Sequence, residues 1–510
     1  MSTVRIVQDI LYASITCEEK GAYTLLTEAL TLPAPRAQYT TLYKSGRWDG
    51  HIRLFAARGQ YSLVCAAGLT PRLVDLLSAK GYTVAVKDKA PPPSCTPYGP
   101  HLWQNPPENS PQRKALPLTL RPYQVAAVSE ALARYRCVIQ MPTGGGKTEV
   151  GGDVVRQLGV PTLWMIHRKE LLHQTHQRLV ERLGMPVGMI GAGILTKYPV
   201  TVGMVQTLVR LDPRKNAGLG DMRNFWAEWK CLVIDECMHA SADTWRTVAN
   251  WCTQAYYRFG LSATPLTSDH IRNLRLEGIT GPVCMVADIQ ELSQQGFLAT
   301  PTIVRLRAPQ HSYPAYSTVR EMVCPTWRRN PRQLSTLGGK LFAEAYRRGI
   351  VYNTARNTQL FRTAWGHVQR GEKVLLLCSA LAHGEILFAE CTKVLPACWW
   401  IHGSESDAVR QRAIEDFQCW GGGALLLAST ILDEGIDLPE IDVLILAGAG
   451  ESSVRTLQRV GRALRPRPDK HEVLIYDVED GYDLEDPKDY LARHAQQRFA
   501  DYRSQGFTIL

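Results

Sequence analysis

The sequence lacks the features that mark membrane-spanning and secreted proteins. No apolar stretch reaches the roughly 18 residues that a membrane span needs, and the N-terminus, MSTVRIVQDI, has no basic segment followed by an apolar one. The thirteen cysteines are scattered singly, without a CxxC pair, which favours reduced core thiols. Aromatic residues are scarce at 8%, beside 45% hydrophobic and 21% charged residues, as in ordinary globular chains. We therefore expect a cytoplasmic globular protein with no membrane partner.

The chain carries more positive than negative charge. Its 510 residues include 58 lysines and arginines against 48 aspartates and glutamates, a formal net charge of +10. Such an excess favours an anionic partner, although many basic proteins only carry a solvated basic surface, so the position of the charge must decide. At this length the usual domain sizes predict roughly three domains.

A proline-crowded segment, residues 91–117, predicts a linker, because prolines interrupt helices and disfavour paired strands. Residues 1–90 in front of it read as a small α/β domain.

Within this first domain the sequence predicts a hairpin and a helix. TLYKSGRW (41–48) and HIRLFAA (51–57) are strand-like runs joined by Asp49-Gly50, a two-residue turn signal. A helix is expected to follow, with Thr70 as its cap and Pro71 in its first turn.

After the linker, short apolar runs alternate with amphipathic helices, which is typical of parallel sheets crossed by helices. Two such series predict two lobes, 118–300 and 301–510. The first contains RCVIQ, TLWMIH, VTVGMV, KCLVIDE and YRFGLSAT, and the second contains KVLLLCSA, CWWIHG, ALLLAST, DVLILAGA and EVLIYDV.

A glycine-rich turn, MPTGGGKT (141–148), follows the first strand of the first lobe and leads into a helix. Backbone N–H groups and the positive helix end can surround a polyphosphate, while Lys147 adds charge and the Thr148 hydroxyl can hold Mg²⁺. Met141 replaces the first glycine of the usual pattern, and a turn that binds nothing is the alternative. The candidate phosphate-binding residues are Thr143, Gly144, Gly145, Gly146, Lys147 and Thr148.

The strand CLVIDE ends in DECMH (235–239), a pair of carboxylates at the edge where such sheets place ligands. Asp235 is expected to hold the metal and Glu236 to polarise an attacking water, while His239 lies one helical turn further on. A capping pair at a helix start is the alternative.

In the second lobe, QRVGRALR (458–465) places Gln458, Arg462 and Arg465 on roughly one helical face. Arginines that reach a γ-phosphate from another lobe fit this arrangement, and such a contact raises the hydrolysis rate by about 10³–10⁵. A solvated basic face is the alternative.

These motifs occur together with GLSATP (260–265) in a fixed order, and in this the sequence resembles the superfamily 2 helicases from about Leu118 to Asp477. The resemblance implies an α/β fold with two tandem RecA-like parallel-sheet lobes behind the small N-terminal domain. It also implies an enzyme that hydrolyses ATP with Mg²⁺ and moves along a nucleic acid.

The same resemblance implies roles for further residues. LRPYQ (120–124) is similar to the adenine-reading segment of the family, and IHRKELLHQ, GMVQTL and STILDEGIDLP are similar to its nucleic-acid and coupling motifs. The implied roles are adenine reading for Arg121 and Gln124, backbone contacts for Arg168, Gln206, Thr207 and Thr430, coupling for His239, Ser262 and Thr264, and proximity to the nucleotide for Gly435 and Asp437.

SGRWDGHIRLF (45–55) is similar to the N-terminal domain of phage UvsW-type recombination helicases, which remodel forks and migrate branches. Lys44, Arg47, His51 and Arg53, with Trp48 beside them, are candidate contacts to duplex phosphates, or simply an exposed polar strand face.

The expected function is therefore a helicase that acts on single-stranded and branched DNA in recombination or repair, in a bacterial host if a phage encodes it. Recombination or single-strand-binding proteins are possible partners. An RNA helicase, an ATP-gated clamp that does not translocate, and the motor subunit of a restriction system are the alternatives.

Overall fold

The computed structural model describes residues 3–98, 119–214, 216–217, 220–287, 289–325, 337–429, 441–450, 472–486 and 488–510. The chain divides into two compact units, one made of residues 1–142 and 146–287 and the other of residues 143–145 and 288–510. Among the described residues, no helix combines the length and apolar character needed to cross a membrane.

The N-terminal part of the first unit is built on a mixed sheet in the order β5-β6-β2-β1-β7, in which β1 and β7 are parallel and the other pairs antiparallel. Strands β3 and β4 form a separate antiparallel pair. The strands are β1 Thr3–Gln8, β2 Tyr12–Cys17, β3 Thr31–Pro33, β4 His51–Arg53, β5 Phe55–Gly59, β6 Ser62–Ala66 and β7 Thr83–Asp88, and the helices are α1 Lys20–Ala29, α2 Thr41–Lys44 and α3 Thr70–Ala79.

The predicted hairpin across Asp49-Gly50 is wrong. Residues 41–44 form the short helix α2, because the Thr40 hydroxyl accepts a hydrogen bond from the Tyr43 amide at 3.3 Å and caps it. Strand β4 pairs with β3 instead of with residues 41–48. The helix α3 is confirmed, but Thr70 is its first residue and Leu69 its N-cap.

The second part of the first unit is an eight-stranded sheet in the order β11-β10-β12-β9-β15-β16-β8-β17, parallel throughout except for β11. All five strands predicted here are confirmed. The strands are β8 Arg136–Gln140, β9 Thr162–Ile166, β10 Gly188–Gly191, β11 Ile194–Thr196, β12 Val200–Met204, β15 Cys231–Asp235, β16 Tyr257–Ser262 and β17 Val283–Val286. Two further strands, β13 Asn216–Ala217 and β14 Gly220–Asp221, form a separate antiparallel pair. The helices are α4 Pro122–Arg134, α5 Lys147–Leu158, α6 Lys169–Leu183, α7 Val205–Leu208, α8 Met222–Glu228, α9 Asp243–Trp251 and α10 His270–Thr280.

Helix α5 packs closely on this sheet because it carries Gly151. A Cβ atom there would lie 2.6 Å from the Trp164 ring of β9 and 2.8 Å from Leu261 of β16, two buried side chains of this sheet. Any larger residue would push the helix away from the strands. The sheet thus fixes the position of the helix that begins at Lys147.

The N-terminal sheet is docked onto the eight-stranded lobe through α10. Leu274 packs into the apolar core of residues 3–88, and Arg72 bonds the buried Glu277 carboxylate at 2.8 Å. Gly68 allows a close backbone approach, since a Cβ there would lie 2.1 Å from the Glu277 carbonyl oxygen. Buried contacts of this kind hold the two parts in one orientation.

The first residues of the predicted linker lie against the same lobe. The Tyr257 hydroxyl donates to the Pro93 carbonyl at 3.0 Å, and the Tyr98 amide donates to the Arg156 carbonyl at 2.9 Å. Residues 93–98 therefore follow the lobe surface, while residues 99–118 lie outside the described part of the chain.

The second unit is a seven-stranded, fully parallel sheet in the order β20-β21-β19-β22-β23-β18-β24. The five predicted strands are confirmed. The strands are β18 Thr300–Leu306, β19 Lys373–Leu377, β20 Cys398–Ile401, β21 Ala424–Ala428, β22 Val443–Leu446, β23 Glu472–Val478 and β24 Thr508–Ile509. The helices are α11 Ile289–Gln294, α12 Tyr316–Val323, α13 Gly338–Tyr346, α14 Thr354–Gln369, α15 Leu381–Cys391, α16 Asp407–Cys419 and α17 Tyr490–Ser504, with a π-helix at Arg347–Val351.

The α/β prediction with two parallel-sheet lobes is confirmed. The compact units divide after Ala287, whereas the sequence placed the lobe boundary near Pro301. The exact domain limits stay a prediction.

Candidate nucleotide and nucleic-acid site

The glycine-rich turn connects β8 to α5. Gly144 and Gly146 have φ angles of +85° and +84°, a left-handed conformation that only glycine adopts without strain. Gly146 is the N-cap of α5, so the free N–H groups of the first helical turn and the Lys147 ammonium lie at the same helix end. Thr148 is the second residue of that helix. The residues present fit a polyphosphate.

Met141 occupies the position of the first motif glycine, and its surroundings show why no glycine is needed there. Its side chain is fully buried, and its amide donates to the Ser262 carbonyl at 3.0 Å, so the residue continues the strand and does not line the turn. The conformational freedom of the turn comes from the later glycines.

The paired acids lie at the carboxyl end of β15, the neighbour of β16: Asp235 is the last residue of the strand and Glu236 follows it. Glu236 has a left-handed φ of +48°, and its Oε1 lies 3.9 Å from the Lys147 Nζ. Its Oε2 accepts a hydrogen bond from the Ser262 hydroxyl at 3.5 Å, and the same hydroxyl accepts one from the Thr264 amide at 3.2 Å. Four of the predicted residues are therefore joined in one cluster of contacts.

Asp235 is buried at the end of β15, and its Oδ1 accepts a hydrogen bond from the Glu236 amide at 3.0 Å. Burial and the neighbouring Glu236 carboxylate raise the pKa of Asp235 to about 6, and Lys147 offsets part of this rise. Two adjacent carboxylates with one ammonium attract a further cation. Within the described residues no group of three or more His, Cys, Asp or Glu side chains is placed to hold a metal ion.

Gln124 lies against the glycine-rich turn. Its Oε1 accepts a hydrogen bond from the Arg121 amide at 2.9 Å at the start of α4, and a Cβ on Gly146 would lie 2.3 Å from its Nε2. The buried amide thus lies beside the candidate phosphate site. Arg121 is at the same helix start, where its Nη1 donates to the Tyr123 hydroxyl at 3.4 Å.

The candidate nucleic-acid residues of this lobe follow two adjacent strands. Arg168 comes after β9 as the N-cap of α6, and Gln206 and Thr207 lie in α7 directly after β12. Since β12, β9, β15, β16 and β8 are consecutive parallel neighbours, these residues share one sheet edge with the acids and the glycine-rich turn. Four strand spacings separate the two ends of that row, roughly 19 Å.

His167, which the sequence analysis did not single out, connects the residues that follow β12 with those that follow β15. Its ring lies 4.6 Å from the His239 ring, centroid to centroid, and its carbonyl accepts a hydrogen bond from Gln206 Nε2 at 2.8 Å. His167 belongs to the motif IHRKELLHQ, so its place directly before Arg168 was the available signal.

In the second lobe, six predicted residues lie outside the described part of the chain: Thr430, Gly435, Asp437, Gln458, Arg462 and Arg465. Gly450, which comes directly before the second of these undescribed stretches, is described and is bonded by Arg498. Arg498 of α17 is fully buried, bonds Asp477 at 2.9 Å, and donates through Nη1 to the Gly450 carbonyl at 3.2 Å, just before residue 451.

The predicted N-terminal basic residues are exposed but do not share one strand. Lys44 ends α2, Arg47 lies in the turn after it, and Arg53 belongs to β4. Arg53 pairs with Asp49, and this hydrogen bond lowers the pKa of Asp49 to about 2. Beside them Tyr39, Leu42 and Tyr43 are exposed to solvent, which makes this surface both basic and apolar: 71%, 55% and 44% of these side chains are accessible.

Two family models match the chain. Residues 117–267 match the family "Type III restriction enzyme, res subunit", and residues 356–467 match "Helicase conserved C-terminal domain". The first match lies within the eight-stranded lobe and the second within the seven-stranded one.

Curated relatives carry helicase and translocase names. The putative DNA 3'-5' helicase Rad25 of Halobacterium salinarum is 26% identical over 69% of this chain, and the match spans 53% of that protein's length. The ATP-dependent DNA helicase uvsW of Enterobacteria phage T4 is 21% identical over 98% of this chain and 97% of its own.

Among solved structures, a fragment of a putative HsdR subunit of a type I restriction enzyme from Vibrio vulnificus superposes with a TM-score of 0.52 at 18% identity, over 76% of this chain and 67% of that one. This likeness concerns the fold alone.

Proposed function

This chain is a superfamily 2 helicase similar to UvsW, and from that premise we propose that it uses ATP hydrolysis to move along DNA and to remodel forked and junction DNA. The contact that supports this most directly is the approach of Lys147 to Glu236 beside the glycine-rich turn. It brings an ammonium and a carboxylate together at one sheet edge, and this supports the proposed roles in phosphate binding and in water activation.

We assign the nucleotide roles as follows. The turn from Thr143 to Gly146 and the helix end surround the phosphates, Lys147 offsets their charge, and Glu236 polarises the attacking water. Mg²⁺, held by Thr148 and Asp235, would supply further charge neutralisation. Arg121 and Gln124 bind the base. Gly435, Asp437, Gln458, Arg462 and Arg465 would complete the site from the second lobe.

We propose that phosphate contacts of Arg168, Gln206, Thr207 and Thr430 grip the DNA backbone. A change at the nucleotide then reaches this grip through Glu236, which bonds Ser262 and, through it, Thr264. The Glu236 carbonyl accepts a hydrogen bond from the His239 amide at 3.1 Å, and the ring pair of His239 and His167 leads on to Gln206. Backbone contacts carry no base sequence, so binding should be sensitive to salt and independent of sequence.

The N-terminal part is proposed to hold duplex DNA next to a branch. Lys44, Arg47 and Arg53 offer charge to phosphates, and the exposed Tyr39 and Tyr43 offer rings on which an unpaired base can stack. The T4 relative, unlike the Halobacterium one, matches nearly the whole chain and thus this part as well. Recombination or single-strand-binding proteins are proposed partners.

The test compares ATP turnover and strand separation on single-stranded, forked and four-way substrates of matched sequence, each made in DNA and in RNA. We expect the branched DNA substrates to stimulate turnover most and to be resolved in an ATP-dependent manner. Directional substrates with one single-stranded arm should show 3'-to-5' movement.

Other outcomes point to the alternatives. Stronger stimulation by RNA than by DNA would indicate an RNA helicase. Steady ATP turnover without movement on a labelled strand would indicate an ATP-gated clamp. Equal activity on linear and branched DNA would leave a general DNA motor and contradict the junction preference.

A further inference from the structure

A cavity of about 280 Å³ lies where the N-terminal sheet meets the eight-stranded lobe. The N-terminal part contributes Ile10 and Arg53, and the lobe contributes Arg246 of α9, Arg258 of β16 and Arg275 of α10. We call it the arginine cavity. Among the described residues that line it, four are arginines and none is an aspartate or glutamate.

Two of the four arginines already have carboxylate partners. Arg53 pairs with Asp49, and Arg246 Nη1 lies 3.1 Å from Asp243 Oδ1. These pairs are at least partly exposed and contribute little net charge to the cavity.

The other two arginines have no carboxylate partner in the described part of the chain. Arg258 is 2% exposed and uses Nε and Nη2 in three hydrogen bonds to backbone carbonyls, which leaves Nη1 without a partner there. The Nε of Arg275 is buried and likewise makes no hydrogen bond with a described residue. A nearly buried guanidinium with an unused donor is stabilised by an acceptor, so an acceptor in the cavity that reaches the Arg258 Nη1 would be stabilising.

A further guanidinium, that of Arg136, lies next to Arg258 but is not among the residues that line the cavity. Arg136 of β8 is the register partner of Arg258, and its Nη2 donates to the Ile10 carbonyl at 2.6 Å. Burial lowers the pKa of Arg136 to about 9 and that of Arg258 to about 10, and Arg258 is the second cause of the shift at Arg136. Arg136 does not itself line the cavity, and Asp88 and Asp9 act on its charge, so the positive charge that faces the cavity is carried by Arg258 and Arg275.

The arginine cavity is distinct from the nucleotide site. Arg136 is the first residue of β8 and Arg258 the second of β16, whereas the glycine-rich turn and Ser262 follow the other ends of these strands. Four strand residues separate the two edges, roughly 13 Å. A ligand in the cavity would therefore not occupy the proposed ATP site.

We propose that the arginine cavity binds a phosphate group between the N-terminal part and the first lobe. Guanidinium groups are strong hydrogen-bond donors to phosphate oxygens. The Arg258 Nη1 and the guanidinium of Arg275 are the donors that line the cavity without a carboxylate partner among the described residues. The phosphate belongs either to a DNA backbone that passes the N-terminal part or to a free small anion. This proposal goes beyond the ATP-driven movement proposed above, because it needs neither hydrolysis nor translocation.

Arg275→Gln is the test variant, and Arg272→Gln on the same helix is its control, because Arg272 is 65% exposed, pairs with Asp269 at 3.3 Å and does not line the cavity. Arg275→Lys keeps the charge. All three are made in the full chain with Lys147→Ala, which weakens phosphate binding at the nucleotide site. Calorimetry measures binding of pyrophosphate, and fluorescence anisotropy measures binding of a short duplex and a single strand at one salt concentration.

We expect Arg275→Gln to weaken pyrophosphate binding about tenfold or more, Arg275→Lys to retain most of it, and Arg272→Gln to change it about twofold or less. A loss confined to pyrophosphate identifies a free anion as the ligand, and a loss of duplex or strand binding identifies the DNA backbone. If Arg275→Gln matches Arg272→Gln on all three probes while both melt like the parent chain, the proposal is overturned. Failure of the proposed function appears elsewhere, as absence of DNA-stimulated ATP hydrolysis in the unchanged chain.

Discussion

Lys147 begins a helix and Glu236 follows a strand two positions away in the sheet, yet their charged groups approach to 3.9 Å. The approach depends on the left-handed φ of Glu236, which turns its side chain back toward the helix end. A non-glycine residue held in that conformation is strained, and such strain is common at functional sites.

Glu236→Gln removes the charge but keeps the size and the hydrogen bond to Ser262. We expect ATP hydrolysis to fall by about 10²–10⁴-fold, because an amide cannot take a proton from water, while ATP binding persists. Steady-state turnover and equilibrium binding of a fluorescent ATP analogue measure the two effects. Normal turnover in this variant would remove Glu236 from the proposed site.

Gly146→Ala should impair nucleotide binding without unfolding the lobe. The new Cβ atom would lie 2.3 Å from Gln124 Nε2. The alanine backbone would also have to keep the φ of +84°, a conformation that costs about 1–2 kcal/mol for alanine. We expect the dissociation constant for ATP to rise about tenfold or more. Gly193→Ala is the control, because Gly193 has the same φ with open space around it; equal effects on ATP binding would contradict the assignment.

His167→Ala should separate nucleotide binding from the response to DNA. The substitution removes the ring contact to His239 but leaves the backbone carbonyl that binds Gln206. We expect ATP affinity to stay unchanged and stimulation of turnover by DNA to fall several-fold, roughly the effect of a coupling free energy of 1 kcal/mol. Turnover measured against DNA concentration checks this, and unchanged stimulation would rule out a coupling role for the ring.

His383 should make the free energy of unfolding of the second lobe decrease at acid pH. It is fully buried, bonds Asn357 at 2.9 Å, and burial followed by the nearby Arg356 lowers its pKa from 6.5 to about 3. Because the unfolded chain takes up this proton near pH 6.5 and the folded chain does not, the stabilising contribution is complete above that pH and is lost as pH falls towards 3.

From pH 7 to pH 5 the loss should be about 2 kcal/mol. Urea midpoints at both pH values measure it in the parent chain, in His383→Gln and in the exposed-site control His311→Gln. The pH dependence should shrink in His383→Gln only; a parent-like slope there would show that another group causes it.

Arg498→Met should destabilise the second lobe by about 3–5 kcal/mol, because it leaves the buried Asp477 and Asp480 carboxylates with one cation fewer. Arg493→Met on the same helix is exposed and should cost about 0.5 kcal/mol or less. Thermal unfolding compares the two. Equal stability of the two variants would show that Arg356, Tyr313 and Tyr502 satisfy these carboxylates without Arg498.

The sequence by itself determined ten of the fifteen strands described in the two parallel-sheet lobes, and the residues at their ends. It did not predict β10, β11, β17, β18 and β24. Apolar runs of strand length are a local signal, so RCVIQ, KCLVIDE and the others were located correctly, and GGGKT and DE follow them directly. Parallel strands bring their carboxyl ends to one edge, which is why the approach of Lys147 to Glu236 was within reach of sequence reasoning. The roles of the site residues stay predictions.

Tertiary structure decided the rest. TLYKSGRW has a strand-like composition, but the capping bond from Thr40 and the pairing of β4 with β3 override that local preference. The contact between His167 and His239 joins two strand ends, and the arginine cavity collects residues 53, 246, 258 and 275 from four separate elements. Such groupings form when elements far apart in the sequence pack together. No local periodicity or spacing in the sequence identifies which elements will do so.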